Sequence, residues 1–157
     1  MSASISEPLF QPRPMDSADL PAVMAIERRA YSHPWSEGIF RDCLHVGYLC
    51  RVCELDGRVI GHAVLSIAAG EAHLLNLCID PDFQRRGLGR SLLEACFDEA
   101  RQHHAETLFL EVRMSNKAAI RLYLAMGFNE VGVRAGYYPA GDGRREDAFV
   151  FAKTLLD

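Results

Sequence analysis

Residues 74–93 decide the fold, and they read Leu-Leu-Asn-Leu-Cys-Ile-Asp-Pro-Asp-Phe-Gln-Arg-Arg-Gly-Leu-Gly-Arg-Ser-Leu-Leu. This pattern is typical of an apolar strand, a turn and a glycine-bearing loop that leads directly into a helix. Because Gly87 and Gly89 have no side chains, the backbone N–H groups of residues 86–90 can face an anion, and the positive end of the helix dipole adds to the attraction. The loop indicates a diphosphate site with added positive charge from Arg85, Arg86 and Arg90.

The glycine spacing separates this loop from the better-known phosphate loops. A dinucleotide-binding loop needs a third glycine where this chain has Leu92, and a nucleoside-triphosphate loop needs Gly-Lys-Ser or Gly-Lys-Thr. Neither pattern is present. On the loop alone, a strand-to-helix turn whose glycines only relieve crowding stays an alternative.

Length, composition and charge bound the class of protein. The chain has 157 residues, of which 49% are hydrophobic, and this suffices for one domain with a real core. Its formal net charge of −4 argues against a protein that coats nucleic acid and fits a basic peptide partner better. The sequence shows no bilayer-spanning apolar run and no charged N-terminal segment followed by an apolar one, so we expect a cytoplasmic protein without a membrane partner.

The cysteines and histidines do not predict a metal site. The five cysteines are an odd number in a chain without an export signal, so we expect reduced thiols. Cys50 and Cys53 have the spacing of a redox or zinc half-site, but strand positions three apart point to opposite faces and no second pair follows. The six histidines are scattered, and His103 and His104 close a predicted helix.

Periodicity and capping residues predict the order of the elements. We expect a flexible tail over residues 1–14 and a domain over residues 15–157, with a short first strand around Phe10 to Met15. The later elements are a helix capped within residues 16–19, a helix capped by Ser36, a hairpin of strands 48–54 and 58–67 with Gly61 as a possible bulge, strand 72–79, helix 89–103, strand 107–112, a helix from Ser115 or Asn116 to Met126 with Gly127 as C-cap, and strands 128–133 and 148–153.

This order resembles the topology of the GCN5-related N-acetyltransferase (GNAT) family. Gln84–Gly89 resembles that family's acetyl-CoA pyrophosphate loop, Gln/Arg-x-x-Gly-x-Gly/Ala, and Leu110–Phe128 resembles the second half of its cofactor site. The resemblance implies a single mixed α/β domain with a mixed central sheet of about seven strands and about four helices. It covers essentially residues 15–150.

Further segments are similar to one branch of the family, the bacterial enzymes that acetylate the N-terminal alanine of a ribosomal protein. These segments are Trp35-Ser36, Tyr137-Tyr138-Pro139 and Arg145-Glu-Asp-Ala148. Two features differ from the expected pattern: Met114 replaces a smaller residue, and Arg144-Arg145 lengthens the loop after Gly143. Either difference could alter the entrance for the substrate.

The resemblance implies acetyl-CoA as co-substrate and assigns residues to bind it. Without the family, the side chains of residues 77–79 would be interpreted as ordinary core, and Asn116 as a helix N-cap only. The implied coenzyme-binding residues are Leu77, Cys78, Ile79, Arg85, Arg86, Gly87, Leu88, Gly89, Arg90 and Asn116.

Glu111 is an acidic residue in the otherwise apolar strand Leu108 to Val112, where a carboxylate has either a cationic partner or a catalytic role. Arg113, two residues on, could be that partner on the same face. The resemblance assigns to Glu111 the role of general base, directly or through water. An N-terminal amine, with a reference pKa of about 8 against about 10.4 for lysine, is mildly favoured as the acceptor.

Four aromatic residues complete the predicted site. Tyr123 lies on the inner face of the last helix, either as a core aromatic or, by resemblance, as the acid that protonates the departing coenzyme thiolate. Trp35, Tyr137 and Tyr138 are half-polar side chains on predicted loops. The resemblance supports substrate binding by these three, and packing against the sheet is the alternative.

The implied function is transfer of acetyl from acetyl-CoA to the N-terminal alanine of protein eighteen of the small ribosomal subunit, a basic protein. Two alternatives stay open: the same fold acting on a lysine, a polyamine or another small amine, and a non-catalytic module that binds acyl-CoA. An acyl-enzyme route through Cys78 or Cys96 is a third idea, for which the sequence identifies no general base.

Overall fold

The computed structural model describes residues 12–156, and these form seven strands and four α-helices. The predicted mixed α/β domain is confirmed in its strand and helix numbers. The helices are α1 (Leu20–Ala30), α2 (Glu37–Val46), α3 (Leu88–Gln102) and α4 (Lys117–Ala125). The strands are β1 (Pro12–Pro14), β2 (Leu49–Leu55), β3 (Arg58–Ala68), β4 (Glu71–Ile79), β5 (Thr107–Arg113), β6 (Asn129–Pro139) and β7 (Arg145–Thr154).

The strands form one mixed sheet in the order β1-β2-β3-β4-β5-β7-β6. β4 and β5 are parallel, as expected when a helix connects two strands, whereas β2 and β3 form an antiparallel hairpin. The chain forms two compact units whose boundaries fall inside β3, β4 and α3. The first unit contains the described residues up to Ser66 and Asn76–Cys96, and the second contains Ile67–Leu75 and the residues from Phe97 onward.

In the first unit, β1 begins earlier than the predicted domain boundary. Pro12–Pro14 pair with β2, and the Arg13 guanidinium donates hydrogen bonds to Asp19 at 2.8 and 2.9 Å and to Glu54 at 3.0 Å. The assignment of residues 12–14 to a flexible tail is therefore wrong, because these contacts hold them in the sheet. The rest of the predicted tail, residues 1–11, lies outside the described residues.

The hairpin of the first unit contains a bulge one residue before Gly61, where the sequence predicted it. The register shifts between Cys53, which faces Gly61, and Glu54, which faces Val59, so Ile60 is the extra residue. The carbonyl group of Ile60 instead accepts the backbone N–H of Asp80 at 2.7 Å. The bulge thus connects β3 to the turn that follows β4.

In the second unit, β6 and β7 are longer than predicted. Gly136 interrupts the pairing with a φ of +58°, and its N–H donates to Asp147 Oδ1 at 2.7 Å. Arg145 donates to the carbonyl groups of Gly136 and Tyr137, both at 3.0 Å. These bonds keep the hairpin extended, so Tyr137 and Tyr138 lie in β6, and their predicted loop location is wrong.

Helix α4 begins and ends where the sequence predicts. Asn116 is the N-cap of α4, and its Oδ1 accepts the N–H of Ala119 at 3.2 Å. Gly127 follows the helix with a φ of +96°, in the left-handed region that its role as C-cap requires. Across residues 12–156, no helix combines the length and apolar character needed to cross a membrane.

Candidate active site

The glycine-bearing loop of the first unit is exposed and precedes α3 directly. Arg85 and Gly87 have φ values of +67° and +77°, so the chain turns sharply before the helix begins at Leu88. A Cβ atom at Gly87 would meet nothing within 4 Å. The loop therefore leaves open space at a helix N-terminus, where backbone N–H groups lack partners within the helix. This geometry fits the diphosphate predicted from the sequence.

One aromatic ring contacts basic side chains beside this loop. The Phe83 ring contacts two guanidinium groups, those of Arg58 at 5.0 Å and Arg86 at 5.2 Å from its centroid. The loop residues Arg85, Arg86 and Arg90 are all exposed. Exposed guanidinium groups beside N–H groups suit phosphate oxygens.

Asp80 anchors the turn between β4 and the loop, a role that the sequence analysis did not identify. Its side chain is 2% exposed and forms ion pairs with Arg29 at 3.0 Å and Arg58 at 3.2 Å. It also accepts the N–H of Asp82 at 2.9 Å. Because Arg58 also contacts Phe83, the carboxylate connects the hairpin to the loop.

The end of β4, predicted to contact the coenzyme, packs tightly against β3. A Cβ atom on Gly61 would lie 2.9 Å from the carbonyl oxygen of Cys78 and 2.8 Å from Ile79 Cδ1. Glycine at this position thus permits the close approach of the two strands. The carbonyl group of Leu77 accepts the Tyr31 hydroxyl at 2.5 Å, and that of Ile79 accepts the Gln84 amide at 3.0 Å.

The thiol of Cys78 on this strand is unsuited to covalent catalysis. Cys78 and Cys96 are both buried. Burial raises the pKa of Cys78 well above its usual range, and the charge of Glu27 adds to the effect. A thiolate nucleophile is therefore disfavoured at Cys78.

A buried polar cluster holds the Trp35 loop. Glu27, 1% exposed, accepts the backbone N–H of Trp35 at 3.0 Å, pairs with His62 Nε2 at 2.9 Å and accepts the Asn76 amide at 3.3 Å. Trp35 itself is half-buried, with its ring 5.1 Å from that of Phe40. The sequence signal for this cluster was an acidic residue on the inward face of α1.

The same cluster contains a set of possible metal ligands. Glu27, His62 and Cys78 each offer one ligand atom, and these atoms lie within 4.8 Å of one another. The carboxylate already accepts hydrogen bonds from its neighbours. The cluster therefore has a structural explanation through the bonds that it makes.

In the second unit, Glu111 has two cationic or polar partners, and neither is the predicted one. Its side chain is 6% exposed; His73 Nε2 lies 2.6 Å from Oε1, and Arg134 Nε donates to Oε2 at 3.1 Å. Arg113 instead donates to Glu146 at 3.2 Å and to the carbonyl group of Pro139 at 2.7 Å. The hypothesis of a Glu111–Arg113 ion pair is therefore wrong, because the β6–β7 hairpin offers Arg113 other acceptors.

The electrostatic environment keeps Glu111 ionised. Burial acts to raise its pKa, but the hydrogen bond from His73 and the charges of His73 and Arg134 outweigh burial, and the pKa is lowered from its ordinary value of 4.5. Burial raises the pKa of Tyr137, and the nearby charge of Glu111 raises it further. Glu111 and Tyr137 therefore belong to one electrostatic group.

The aromatic residues of β6 extend this group. The rings of Tyr137 and Tyr138 meet edge to face with centroids 4.8 Å apart. The Arg113 guanidinium lies 4.4 Å from the centre of the Tyr138 ring, and that of Arg134 lies 5.5 Å from the centre of the Tyr137 ring. Burial is the main cause of the raised pKa of Tyr138, with smaller contributions from its neighbours, including Tyr123.

Tyr123 is buried on α4 and makes edge contacts with Phe128 at 5.5 Å and Phe151 at 6.3 Å between ring centroids. The ring of Tyr123 therefore packs as a core aromatic. This packing is compatible with a catalytic role for its hydroxyl group. Asn116 is an N-cap as predicted, and its contact with the pantetheine arm stays a prediction.

Comparison with known proteins identifies the class to which this fold and site belong. Residues 20–128 match the Acetyltransferase (GNAT) family, and the chain belongs to that family. The [Ribosomal protein bS18]-alanine N-acetyltransferase of Escherichia coli strain K12 is 46% identical over 141 residues, which cover 90% of this chain and 95% of that protein. A protein of the same name from Haemophilus ducreyi is 37% identical over 137 residues, covering 87% and 94%.

A solved structure supports the same family. The crystal structure of the ribosomal-protein-S18-alanine N-acetyltransferase from Escherichia coli aligns with a TM-score of 0.86 and 42% identity, covering 94% of this chain and 95% of that chain. The family and the acyltransferase class predicted from the sequence are confirmed.

Proposed function

We propose that this chain transfers the acetyl group of acetyl-CoA to the α-amino group of the N-terminal alanine of ribosomal protein bS18. The observation that carries the proposal is the 46% identity with the Escherichia coli enzyme of that name over 95% of its length. The net charge of −4 suits a basic acceptor, since opposite charge favours encounter.

In this proposal the glycine-bearing loop and the end of β4 bind the coenzyme, and Asn116 adds a contact. The diphosphate lies against the N–H groups of residues 86–90, with Arg85, Arg86 and Arg90 as counter-charges. The backbone of Leu77, Cys78 and Ile79 contacts the thioester and pantetheine, and the carboxamide of Asn116 contacts the same arm. The exposed loop, the open space at Gly87 and the close approach at Gly61 support this assignment.

The acceptor and the chemistry use the remaining predicted residues. Glu111 acts as the general base, directly or through water, that takes the proton from the acceptor ammonium, and Tyr123 protonates the coenzyme thiolate when the C–S bond breaks. Trp35, Tyr137 and Tyr138 contact the acceptor peptide. Within the first unit Glu27 accepts the backbone N–H of Trp35, and within the second unit the Arg113 guanidinium lies over the Tyr138 ring, so each of these two proposed contact residues is held inside its own unit.

The test uses an alanine-starting peptide copied from bS18, offered with a free or a chemically blocked N-terminus and containing one lysine. We expect acetylation of the free peptide only, located at the α-amine by fragmentation. Acetylation of the blocked peptide would favour a lysine or small-amine acetyltransferase. Coenzyme binding without any transfer would favour a non-catalytic acyl-CoA module.

A second measurement tests the acceptor in its natural setting. Intact masses of the small-subunit ribosomal proteins are compared between cells with and without the gene for this chain. We expect bS18 alone to lose one acetyl group in the deletion strain, and an unchanged bS18 mass would contradict the proposed substrate.

A further inference from the structure

Glu27 is a buried carboxylate of the first unit that the proposed chemistry does not use. Its side chain is 1% exposed, and it accepts hydrogen bonds from the backbone N–H of Trp35 at 3.0 Å, from His62 Nε2 at 2.9 Å and from the Asn76 amide at 3.3 Å. A carboxylate is costly to bury unless several donors converge on it. Because one of these donors belongs to a loop, the cluster indicates a role in shaping that loop.

The loop consists of residues 31–36, between α1 and α2, and it is also fixed at both ends. At its start, the Tyr31 hydroxyl donates to the carbonyl group of Leu77 at 2.5 Å. At its end, Ser36 Oγ accepts a backbone N–H from the first turn of α2 at 3.2 Å. The buried carboxylate therefore sets the position of Trp35 between two fixed points.

The ring of Trp35 leads back to the same cluster. It lies 5.1 Å from the ring of Phe40, and the edge of Phe40 meets the His62 ring at 5.4 Å between centroids. His62 is fully buried, and among residues 12–156 its Nδ1 has no hydrogen-bond partner, so its polar contact is the bond to Glu27. Backbone and ring of the tryptophan are thus both held by the Glu27–His62 pair.

We propose that Glu27 and His62 are positioning residues for the acceptor: they hold Trp35 in the orientation in which it contacts the acceptor peptide, and they take no part in proton transfer. This inference rests on the proposed function, in which Trp35 contacts the acceptor. A side chain that is ordered before binding loses less conformational entropy when the partner arrives. The pair should therefore determine the KM for the acceptor, whereas kcat depends on the reacting groups.

Glu27→Gln tests the pair with a change of one atom. A carboxylate accepts at both oxygens, whereas a carboxamide has one accepting oxygen and an NH₂ group that only donates. In the variant, this NH₂ group must face one of the N–H donors that now meet the carboxylate, and the Trp35 N–H loses its fixed acceptor. The KM for the acceptor peptide should rise about five- to tenfold. The kcat and the affinity for acetyl-CoA should stay unchanged.

Two variants of His62 separate its hydrogen bond from its volume. His62→Leu removes the donor and should raise the acceptor KM, whereas His62→Gln can still donate to Glu27 and should keep the KM nearer to the wild-type value. Glu37→Gln is the matched control, because Glu37 is 45% exposed, pairs with Arg41 on the surface of α2 and should not affect the acceptor. Should Glu27→Gln fail to fold, the two His62 variants decide the question.

A substrate-free measurement keeps this inference separate from the proposed function. Trp35 is the single tryptophan of the chain, so its fluorescence reports on the loop alone. In the wild type the half-buried ring should be partly protected from acrylamide. In Glu27→Gln and His62→Leu the quenching constant should rise and the emission should shift to longer wavelength, while Glu37→Gln should match the wild type.

Three results would overturn the inference: unchanged quenching in both Glu27→Gln and His62→Leu, an unchanged acceptor KM in both, or a loss of kcat without a change in KM. The last result would place the cluster in the chemistry instead. A wild type that does not acetylate the peptide, with the expected quenching in the variants, would refute the proposed acceptor and support the positioning of Trp35.

Discussion

The glycine-bearing loop of the first unit and the Glu111 group of the second unit are built by opposite means. The proposed diphosphate site consists of backbone N–H groups from one short segment, residues 86–90, which the positive φ of Gly87 shapes. The Glu111 group consists of side chains from β4, β5 and β6, and its partners His73 and Arg134 are far from it in sequence. A backbone site therefore tolerates many side-chain changes, whereas a side-chain site depends on each of its members.

The largest effects should follow from removal of the reacting groups. Glu111→Gln and Tyr123→Phe should each slow turnover by about 10²-fold or more, since one removes the proposed base and the other removes the proposed acid. Acetyl-CoA affinity should change little, because the loop is intact. Steady-state kinetics measure the turnover, and calorimetric titration with acetyl-CoA measures the affinity.

Matched controls separate chemistry from folding. Glu94→Gln and Tyr48→Phe make the same atomic changes at exposed positions and should leave turnover unchanged. Wild-type turnover in both the Glu111 and Tyr123 variants would contradict the site and return the chain to the binding-module alternative.

The next largest effect concerns the anchor of the loop. Asp80 and Asp82 both pair with Arg29 at 3.0 Å, but Asp80 is 2% exposed and Asp82 is 66% exposed. Asp80→Asn should lower the free energy of unfolding by about 2 kcal/mol, whereas Asp82→Asn should change it by less than about 0.5 kcal/mol. Urea unfolding measures both.

The same pair of variants also tests whether Asp80 acts on the coenzyme. Asp80→Asn should weaken acetyl-CoA binding, because the turn before the loop loses its contacts with Arg29 and Arg58. Equal coenzyme affinities in the Asp80 and Asp82 variants would show that the anchor serves stability alone.

A smaller effect is expected at Gly87, and the chain supplies a matched control. Gly87 and Gly57 have φ values of +77° and +78°, and a Cβ atom on either would meet nothing within 4 Å. Alanine at either position should cost about 1 kcal/mol of stability from the left-handed backbone. Only Gly87→Ala should weaken acetyl-CoA binding, by about five- to tenfold, because it disturbs the N–H groups at the helix start. Equal binding by both variants would argue against a backbone site.

The contrast between the two sites also explains what the sequence could predict. The loop could be predicted as an anion site from the sequence because its glycines, its arginines and the start of the helix lie within one contiguous segment. The sequence identified Glu111 as an acidic residue in an apolar strand. It did not identify His73 as the partner, because the register between β4 and β5 cannot be inferred from the order of residues along the chain. His73 therefore looked like one of several scattered histidines, and the nearer Arg113 looked like the better partner.

The role of Asp80 and the strand location of Tyr137 and Tyr138 were missed for a related reason. Asp80 adjoins an apolar strand and a proline, so it was interpreted only as part of a turn, while its two arginines come from α1 and β3. Tyr137 and Tyr138 were placed on a loop because Gly136 and Pro139 are typical turn residues. Side-chain bonds from Arg145 and Asp147 override that local preference and extend the strand.

The smallest predicted effect is the pH dependence that Glu111 gives to stability. Its pKa is lowered in the folded chain from the ordinary value of 4.5, so the ionised carboxylate stabilises the folded state. This contribution is fully present above about pH 4.5 and is lost as the pH falls through the lowered folded-state pKa. The difference in unfolding free energy between wild type and Glu111→Gln should therefore shrink below that pH.

His73 and Arg134 cause the lowered pKa, so their removal should weaken the same pH dependence. His73→Ala and Arg134→Gln should each move the pKa of Glu111 upward and shift the loss of stability to higher pH. Urea unfolding over a series of acidic pH values gives both comparisons. If the difference in unfolding free energy between wild type and Glu111→Gln stays constant with pH, then His73 and Arg134 do not lower the pKa of Glu111 in solution. That result would contradict the electrostatic account of the Glu111 group.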